Sequence, residues 1–193
     1  MTVAGEHWVF AYGSLMWDPG FRVAESVPGR LAGFARRFCL KSIIYRGTAD
    51  DPGLVLGLDE EVTAICVGMA LRVAETDWEE ALIGLRAREL ATNAYEERHL
   101  PVVLEDGRLV EALAYVIRRD HDQYMGGLDL AEQADIIARA SGGRGPNAEY
   151  LFNTADHLQQ MGVDDRDLHD LTRHVRGLIG PLGKPDTEPG KTR

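Results

Sequence analysis

Apolar residues recur first with the short period of strands and later with the longer period of helices. Trp8-Val9-Phe10-Ala11-Tyr12 is a continuous apolar and aromatic run that stops at Gly13-Ser14, the pattern of a buried strand ending in a turn. Gly29 to Phe34, Arg36 to Tyr45, and Leu54 to Leu58 after the Pro52-Gly53 turn read as further strands. Ala64 to Val73 is apolar nearly throughout and predicts a strand buried on both faces. At Thr76 the period changes. Trp78, Ala81, Leu82 and Leu85 recur at helical spacing. Thr76 and Glu79 have the spacing of a capping box, which predicts Thr76 as the N-cap of a helix fading near Thr92-Asn93. Arg98 to Leu104 and Leu109 to Ile117 flank Glu105-Asp106-Gly107-Arg108 and predict a hairpin.

Three helices should follow. The first opens at Asp129 and Glu132 and ends at Gly142-Gly143; the second runs from Tyr150 to Met161 and stops at Gly162; the third runs from Leu168 to Leu178 and stops at Gly180-Pro181. Residues 182–193 carry no apolar pattern after Leu182 and are expected to form a disordered tail. Strands first and helices afterwards predict one α+β domain over residues 1–181, with a curved sheet able to close into a small barrel.

Composition narrows the partners. The chain has 193 residues and a formal net charge of −10. A general nucleic-acid binder would carry a basic stripe, so none is expected as a partner. An anionic ligand would need a local positive site, because the overall field repels it. No charge-free apolar run approaches the ~18 residues that span a bilayer. The N-terminus lacks a basic stretch followed by an apolar one, and the expectation is a cytoplasmic protein without a membrane partner. Cys39 and Cys66 sit in apolar strand-like runs and are expected as buried, reduced thiols. No metal or organic cofactor is expected. The cysteines lack zinc-finger spacing, and His169 and His174 are five apart, off the helical i,i+4 register. Gly142-Gly143-Arg144-Gly145 lacks the Lys-Ser/Thr of a phosphate loop. Nothing in the sequence fixes an oligomeric state.

Two features carry chemistry. Glycine at the end of the first strand lets backbone approach a ligand, and successive N–H groups at such a turn can hold an anion. The second feature is Glu89. On a helical wheel referred to Trp78, Leu82 falls at ~40°, Leu85 at ~340° and Glu89 at ~20°, on the centre line of the apolar stripe. A carboxylate there is desolvated and its pKa rises, which suits a general base near neutral pH. The alternative is a frayed helix end where Glu89 reaches water or pairs with Arg86 or Arg88. Tyr150 either points its hydroxyl into a pocket or packs in the core. Arg46 either meets a substrate carboxylate or serves the structure.

Taken together, these segments resemble the ChaC family of glutathione-specific γ-glutamylcyclotransferases. The matching stretches are Phe10 to Trp17, Tyr45-Arg46-Gly47-Thr48 with Pro52 to Leu58, Arg88-Glu89-Leu90 with Tyr95, and Gly145-Pro146-Asn147 with Glu149 to Asn153. They run in family order from about Trp8 to about Leu178. Leu90 to Ala94 departs from the pattern, since many members place a glycine there; the departure removes no catalytic group. The resemblance implies a γ-glutamylcyclotransferase-like fold, a small mixed β-barrel with packed helices. It implies cleavage of glutathione to 5-oxoproline and cysteinylglycine without hydrolysis or cofactor. It carries the general-base role onto Glu89 and the substrate-loop role onto Ala11, Tyr12, Gly13, Ser14, Leu15 and Met16, with Tyr150 a candidate pocket residue. Two alternatives stay open: a cyclotransferase for other γ-glutamyl peptides or amines, and a non-catalytic module binding a small anion.

Overall fold

The structure, a computed structural model, describes residues 6–180. Its centre is a closed five-stranded barrel: β1 (His7–Ala11), β2 (Glu25–Ser42), β3 (Gly53–Val73), β4 (Tyr95–Leu104) and β5 (Leu109–Ile117), in the order β1-β3-β2-β4-β5. Neighbours along this order pair antiparallel, and β1 closes on β5 in parallel, so the barrel is mixed as expected. Helices α1 (Trp78–Glu89), α2 (Leu130–Arg139), α3 (Asn147–Gln160) and α4 (Arg166–Ile179) pack around it. A short ribbon, β6 (Ser141–Gly142) with β7 (Gly145–Pro146), joins α2 to α3.

Strand β1 explains its own sequence. Alternate side chains leave opposite faces of a strand. Trp8, Phe10 and Tyr12 enter the larger core, which Leu31, Phe38, Leu56 and Val102 share with Leu151 and Leu158 of α3 and Val175 of α4. Val9 and Ala11 enter a second core with Leu71, Val73, Leu113, and Ala81 and Leu85 of α1. Both faces of β1 are therefore covered, which is why the run has no polar position. Each large side chain so buried contributes about 1.5–3 kcal/mol.

The two segments read on either side of Ala35 form one strand, β2, and the two between Pro52 and Ala74 form one strand, β3. The register slips between Ala32 and Phe34 and between Phe38 and Leu40. Gly33, at φ +84°, absorbs the first irregularity inside β2. The expectation that Ala64 to Val73 is buried on both faces is corrected: Ile65 is 58% exposed and several neighbours alternate out of the core. This half of β3 is covered on its second face only where α1 lies over Leu71 and Val73.

Helix boundaries differ in instructive ways. The predicted capping box at Thr76 does not form. Glu75–Asp77 make a 3-10 turn, α1 begins at Trp78 without a side-chain cap, and the Thr76 hydroxyl donates to Asp77 Oδ1 at 2.9 Å. The same spacing at Asp129 and Glu132 does form the reciprocal pair, with both hydrogen bonds at 2.9 Å. Helix α1 ends at Glu89, before Thr92, and α2 ends at Arg139, before the two glycines, which lie in or beside the β6–β7 ribbon. Gly162 and Gly180 take positive φ after α3 and α4. The tail expected over 182–193 lies outside the described residues. No helix among the described residues is long and apolar enough to cross a membrane.

Candidate active site

Beyond Ala11 the chain leaves the barrel and tightens into a 3-10 turn over Ser14–Met16. Met16 N–H donates to Gly13 O and Asp18 N–H to Ser14 O, both at 2.9 Å. Ser14 and Leu15 open this turn, and the first N–H groups of a helical turn have no partner within it. A β-carbon on Gly13 would stand 3.4 Å from the Tyr150 hydroxyl and 3.5 Å from Leu56 Cδ1. The absent side chain therefore keeps open a recess of about 40 Å³, walled by Tyr12, Gly13, Ser14, Leu15, Leu56, Glu89, Tyr95, Tyr115 and Tyr150. Six of the eight residues singled out in sequence meet here. Ala11 and Met16 do not line it; Ala11 is fully buried in the second core and Met16 packs against both cores.

Glu89 reaches the recess from the last residue of α1, and its side chain is 16% exposed. Burial pushes its carboxyl above the ordinary glutamate range, and the charges of Arg88 and Arg144 partly oppose that rise. Both sequence readings of Glu89 hold at once: it is buried and it is paired. Arg88 Nε lies 3.1 Å from Glu89 Oε1. The same guanidinium donates to Ser14 Oγ and to Asp18 O, each at 2.7 Å. Arg88 thus clips the end of α1 onto the 3-10 turn.

The tyrosines form a neutral cage. Tyr12 donates to Tyr115 O at 2.9 Å and Tyr95 to Leu56 O at 2.6 Å. Burial, with the Glu89 charge nearby, holds both well above the ordinary phenol range. The Tyr150 hydroxyl is raised by the same burial, although the Leu56 backbone opposes the shift. The Tyr150 ring meets Phe38 edge-on at 5.9 Å, so it packs in the core and also presents its hydroxyl to the recess.

The recess opens into a cleft of about 230 Å³ between the 3-10 turn, Lys41 to Arg46, and Arg144. Its far wall is fixed by backbone contact between the loop after β2 and the β6–β7 ribbon. Gly143 N–H donates to Ile44 O at 3.0 Å and Arg144 N–H to Tyr45 O at 2.8 Å. A β-carbon on Gly142 would lie 2.5 Å from Gly47 N, which only glycine permits. Arg46 lines the cleft, yet its guanidinium already serves Pro146 O at 3.1 Å and Glu149 at 3.4 Å. Asn147, fully buried, pairs with both backbone groups of Leu54, accepting from N at 2.7 Å and donating to O at 2.8 Å. This couples α3, and with it Tyr150, to β3.

Several participants escaped the sequence reading. Tyr115 is a strand residue with no pattern to mark it, and Tyr95 stands in the sequence only as part of the matching stretch around Glu89, with no role attached. Arg36, on β2, has a side chain only 4% exposed; it donates to Tyr12 O at 2.6 Å and pairs with Asp165 at 3.2 Å. It holds the loop from behind. Among the described residues no three His, Cys, Asp or Glu side chains converge where a metal ion could be held.

A desolvated carboxylate beside a turn with open N–H groups, among neutral phenols, can exchange a proton with a bound amine while the turn holds an oxyanion or a carboxylate. Several known proteins are similar to this chain. The family model described as ChaC-like protein matches residues 7–178. The glutathione-specific gamma-glutamylcyclotransferase of Escherichia coli (strain K12) is 38% identical over 175 residues, covering 91% of this chain and 75% of that protein. Gamma-glutamylcyclotransferase 2-3 of Arabidopsis thaliana is 34% identical over 190 residues, covering 94% of each. A crystal structure of a gamma-glutamyl cyclotransferase specific to glutathione from yeast superposes with a TM-score of 0.82 at 24% identity, over 90% of this chain and 96% of that one; at that identity it speaks to the fold.

Proposed function

The chain belongs to the ChaC-like family, and from that premise we propose that it cleaves glutathione to 5-oxoproline and cysteinylglycine, with Glu89 as the general base and acid. The observation that carries this reading is the buried carboxylate of Glu89 on the wall of a recess bounded by the Tyr12 to Leu15 loop.

The reaction is internal to the substrate. The α-amine of the γ-glutamyl group attacks its own γ-carbonyl carbon, a C–N bond closes the five-membered ring, and the C–N bond to cysteine breaks. Holding both groups in a near-attack shape supplies much of the rate, since no second molecule must be brought in. The α-ammonium must first lose a proton, and Glu89 accepts it. After ring closure the same nitrogen gives up a second proton. Both end on the cysteinyl nitrogen, so charge balances and no water is consumed. Burial raises the Glu89 pKa toward that of a proton shuttle, while Arg88 keeps the carboxylate available. The open N–H groups of Ser14 and Leu15 are assigned to the developing oxyanion or to the α-carboxylate. The tyrosine cage excludes water, which favours ring closure over hydrolysis.

Product analysis in ¹⁸O-water tests the reading. Purified protein with reduced glutathione should give unlabelled 5-oxoproline and cysteinylglycine. Labelled glutamate would overturn cyclisation in favour of hydrolysis. Turnover confined to γ-glutamyl-alanine or a γ-glutamylamine would move the assignment to another γ-glutamyl substrate.

A further inference from the structure

We infer that Arg144 is the specificity residue for the far end of the substrate, binding the carboxylate that terminates the departing dipeptide. The inference rests on the cyclotransferase reading above and deepens it.

Size separates the two ends of the substrate. The recess beside Glu89 is about 40 Å³ and takes the reacting end of the molecule. Two extended residues carry the chain about 7 Å onward, at ~3.4 Å per residue. The C-terminal carboxylate of a departing dipeptide therefore lies in the outer cleft, not in the recess. The protein bears a net charge of −10, so an anion arriving there must be met by a local cation.

Three arginines line the cleft, and two are engaged. Arg88 is committed to Glu89, Ser14 and Asp18. Arg46 is committed to Pro146 O and Glu149. Arg144 forms no salt bridge among the described residues and reaches Glu89 only through its charge; its guanidinium rests over the Tyr45 ring at 4.8 Å. Its backbone is pinned to Tyr45 O and follows the Gly142–Gly47 contact, so the side chain rises from a fixed wall. Stacking on Tyr45 orders the planar group and leaves its N–H edge for a carboxylate, which guanidinium binds through two parallel hydrogen bonds. Lys41 also lines the cleft, but an ammonium offers a point charge without that fork.

The test compares glutathione with its C-terminal amide, which keeps the γ-glutamyl group and deletes only the terminal charge. Release of 5-oxoproline is measured for the wild type, Arg144→Gln and Lys41→Gln. For Arg144→Gln on glutathione, kcat/KM should fall about 20-fold, chiefly through KM, the size of one charge-assisted interaction. The wild type should lose a similar factor on the amide, and Arg144→Gln should lose little more there. Arg144→Lys should recover part of the loss on glutathione. A loss for Arg144→Gln that is equal on both substrates would mean that Arg144 acts through the fold or through the charge of Glu89, not on the terminal carboxylate, and would overturn the assignment. The same discrimination in Lys41→Gln instead would overturn it too. If the wild type releases no 5-oxoproline from either compound, the cyclotransferase reading itself fails, a result distinct from those two.

Discussion

Arg88 Nε stands 3.1 Å from Oε1 of Glu89, its neighbour in the chain, while the other end of the guanidinium holds Ser14 Oγ. One side chain therefore acts on the charge of the base and fixes the loop that faces it. Burial drives the Glu89 pKa up and Arg88 draws it down. Arg88→Met removes the second influence, leaves that of Arg144, and releases Ser14. The acidic limb of the kcat/KM profile is then expected to move to higher pH, with a further loss of about tenfold on the alkaline plateau from the freed Ser14 loop. An unmoved acidic limb, read from pH–rate profiles of both proteins, would sever the link between Arg88 and the base.

The same burial has a consequence for stability. With its pKa raised in the fold, Glu89 binds a proton more tightly in the native than in the unfolded chain. Its contribution is favourable at low pH and is lost as pH rises through the window between the two pKa values. Glu89→Gln removes that loss. The variant should melt at a higher Tm than wild type near pH 8, with the difference narrowing toward about pH 4. Thermal scans at the two pH values read this directly; a lower Tm near pH 8 would contradict the desolvated carboxylate.

Arg36 and Asp165 join α4 to the back of the substrate loop. Asp165 Oδ1 caps α4 through Leu168 N–H at 3.1 Å, and Oδ2 meets Arg36 at 3.2 Å. Asp165→Ala leaves the Arg36 cation, 4% exposed, without its counter-charge, and is expected to cost about 3–5 kcal/mol in urea denaturation. Asp165→Asn has one acceptor oxygen for two donors, so it keeps either the cap on Leu168 N–H or the contact to Arg36, and should cost less than Asp165→Ala without restoring wild-type stability. Wild-type stability for Asp165→Ala would show that the pair does not hold this junction.

Asn147 imitates a strand neighbour for Leu54. Asn147→Ala strands a buried N–H and a buried carbonyl, for an expected loss of about 2–4 kcal/mol. Asn147→Asp should not rescue it, because a carboxylate can accept from Leu54 N–H but cannot donate to Leu54 O. Denaturation midpoints of the two variants decide this; an Asp variant as stable as wild type would contradict the paired geometry.

The legible parts of this protein are those written in local periodicity. The two-faced burial of β1 shows as an all-apolar run, and Glu89 shows as a carboxylate on the apolar line of α1. The γ-glutamyl substrate entered through the resemblance of four separated motifs to the ChaC family. Contacts across the barrel stayed hidden. Arg36 reads as an ordinary strand arginine because its partners, the Tyr12 carbonyl and Asp165, are 24 and 129 residues away. The apolar pattern breaks at Ala35, yet the strand runs on, because a bulge at Gly33, at positive φ, shifts the register without ending the pairing with β3. Thr76-Glu79 and Asp129-Glu132 carry the same spacing, yet only the second forms a capping box, because the chain before α1 turns too tightly to place Thr76 at the N-cap.

The cysteines supply a control on the chemistry. Cys39 and Cys66 are buried and unpaired with each other, and burial pushes the Cys39 thiol up to about 12 and raises Cys66 as well. Neither forms an appreciable thiolate at neutral pH. Both should resist iodoacetamide in the folded protein and react once it is unfolded, as mass spectrometry would record. Rapid labelling of native Cys39 with loss of activity would return a thiol to the mechanism.

The central claim is that one carboxylate moves the protons of an internal cyclisation. Its most direct test is the turnover of glutathione by wild type and Glu89→Gln, with 5-oxoproline quantified and folding checked by circular dichroism. Glu89→Gln is expected to fold and to show a kcat lower by about 10³-fold or more. A folded Glu89→Gln enzyme that forms 5-oxoproline within about tenfold of the wild-type rate would contradict that claim.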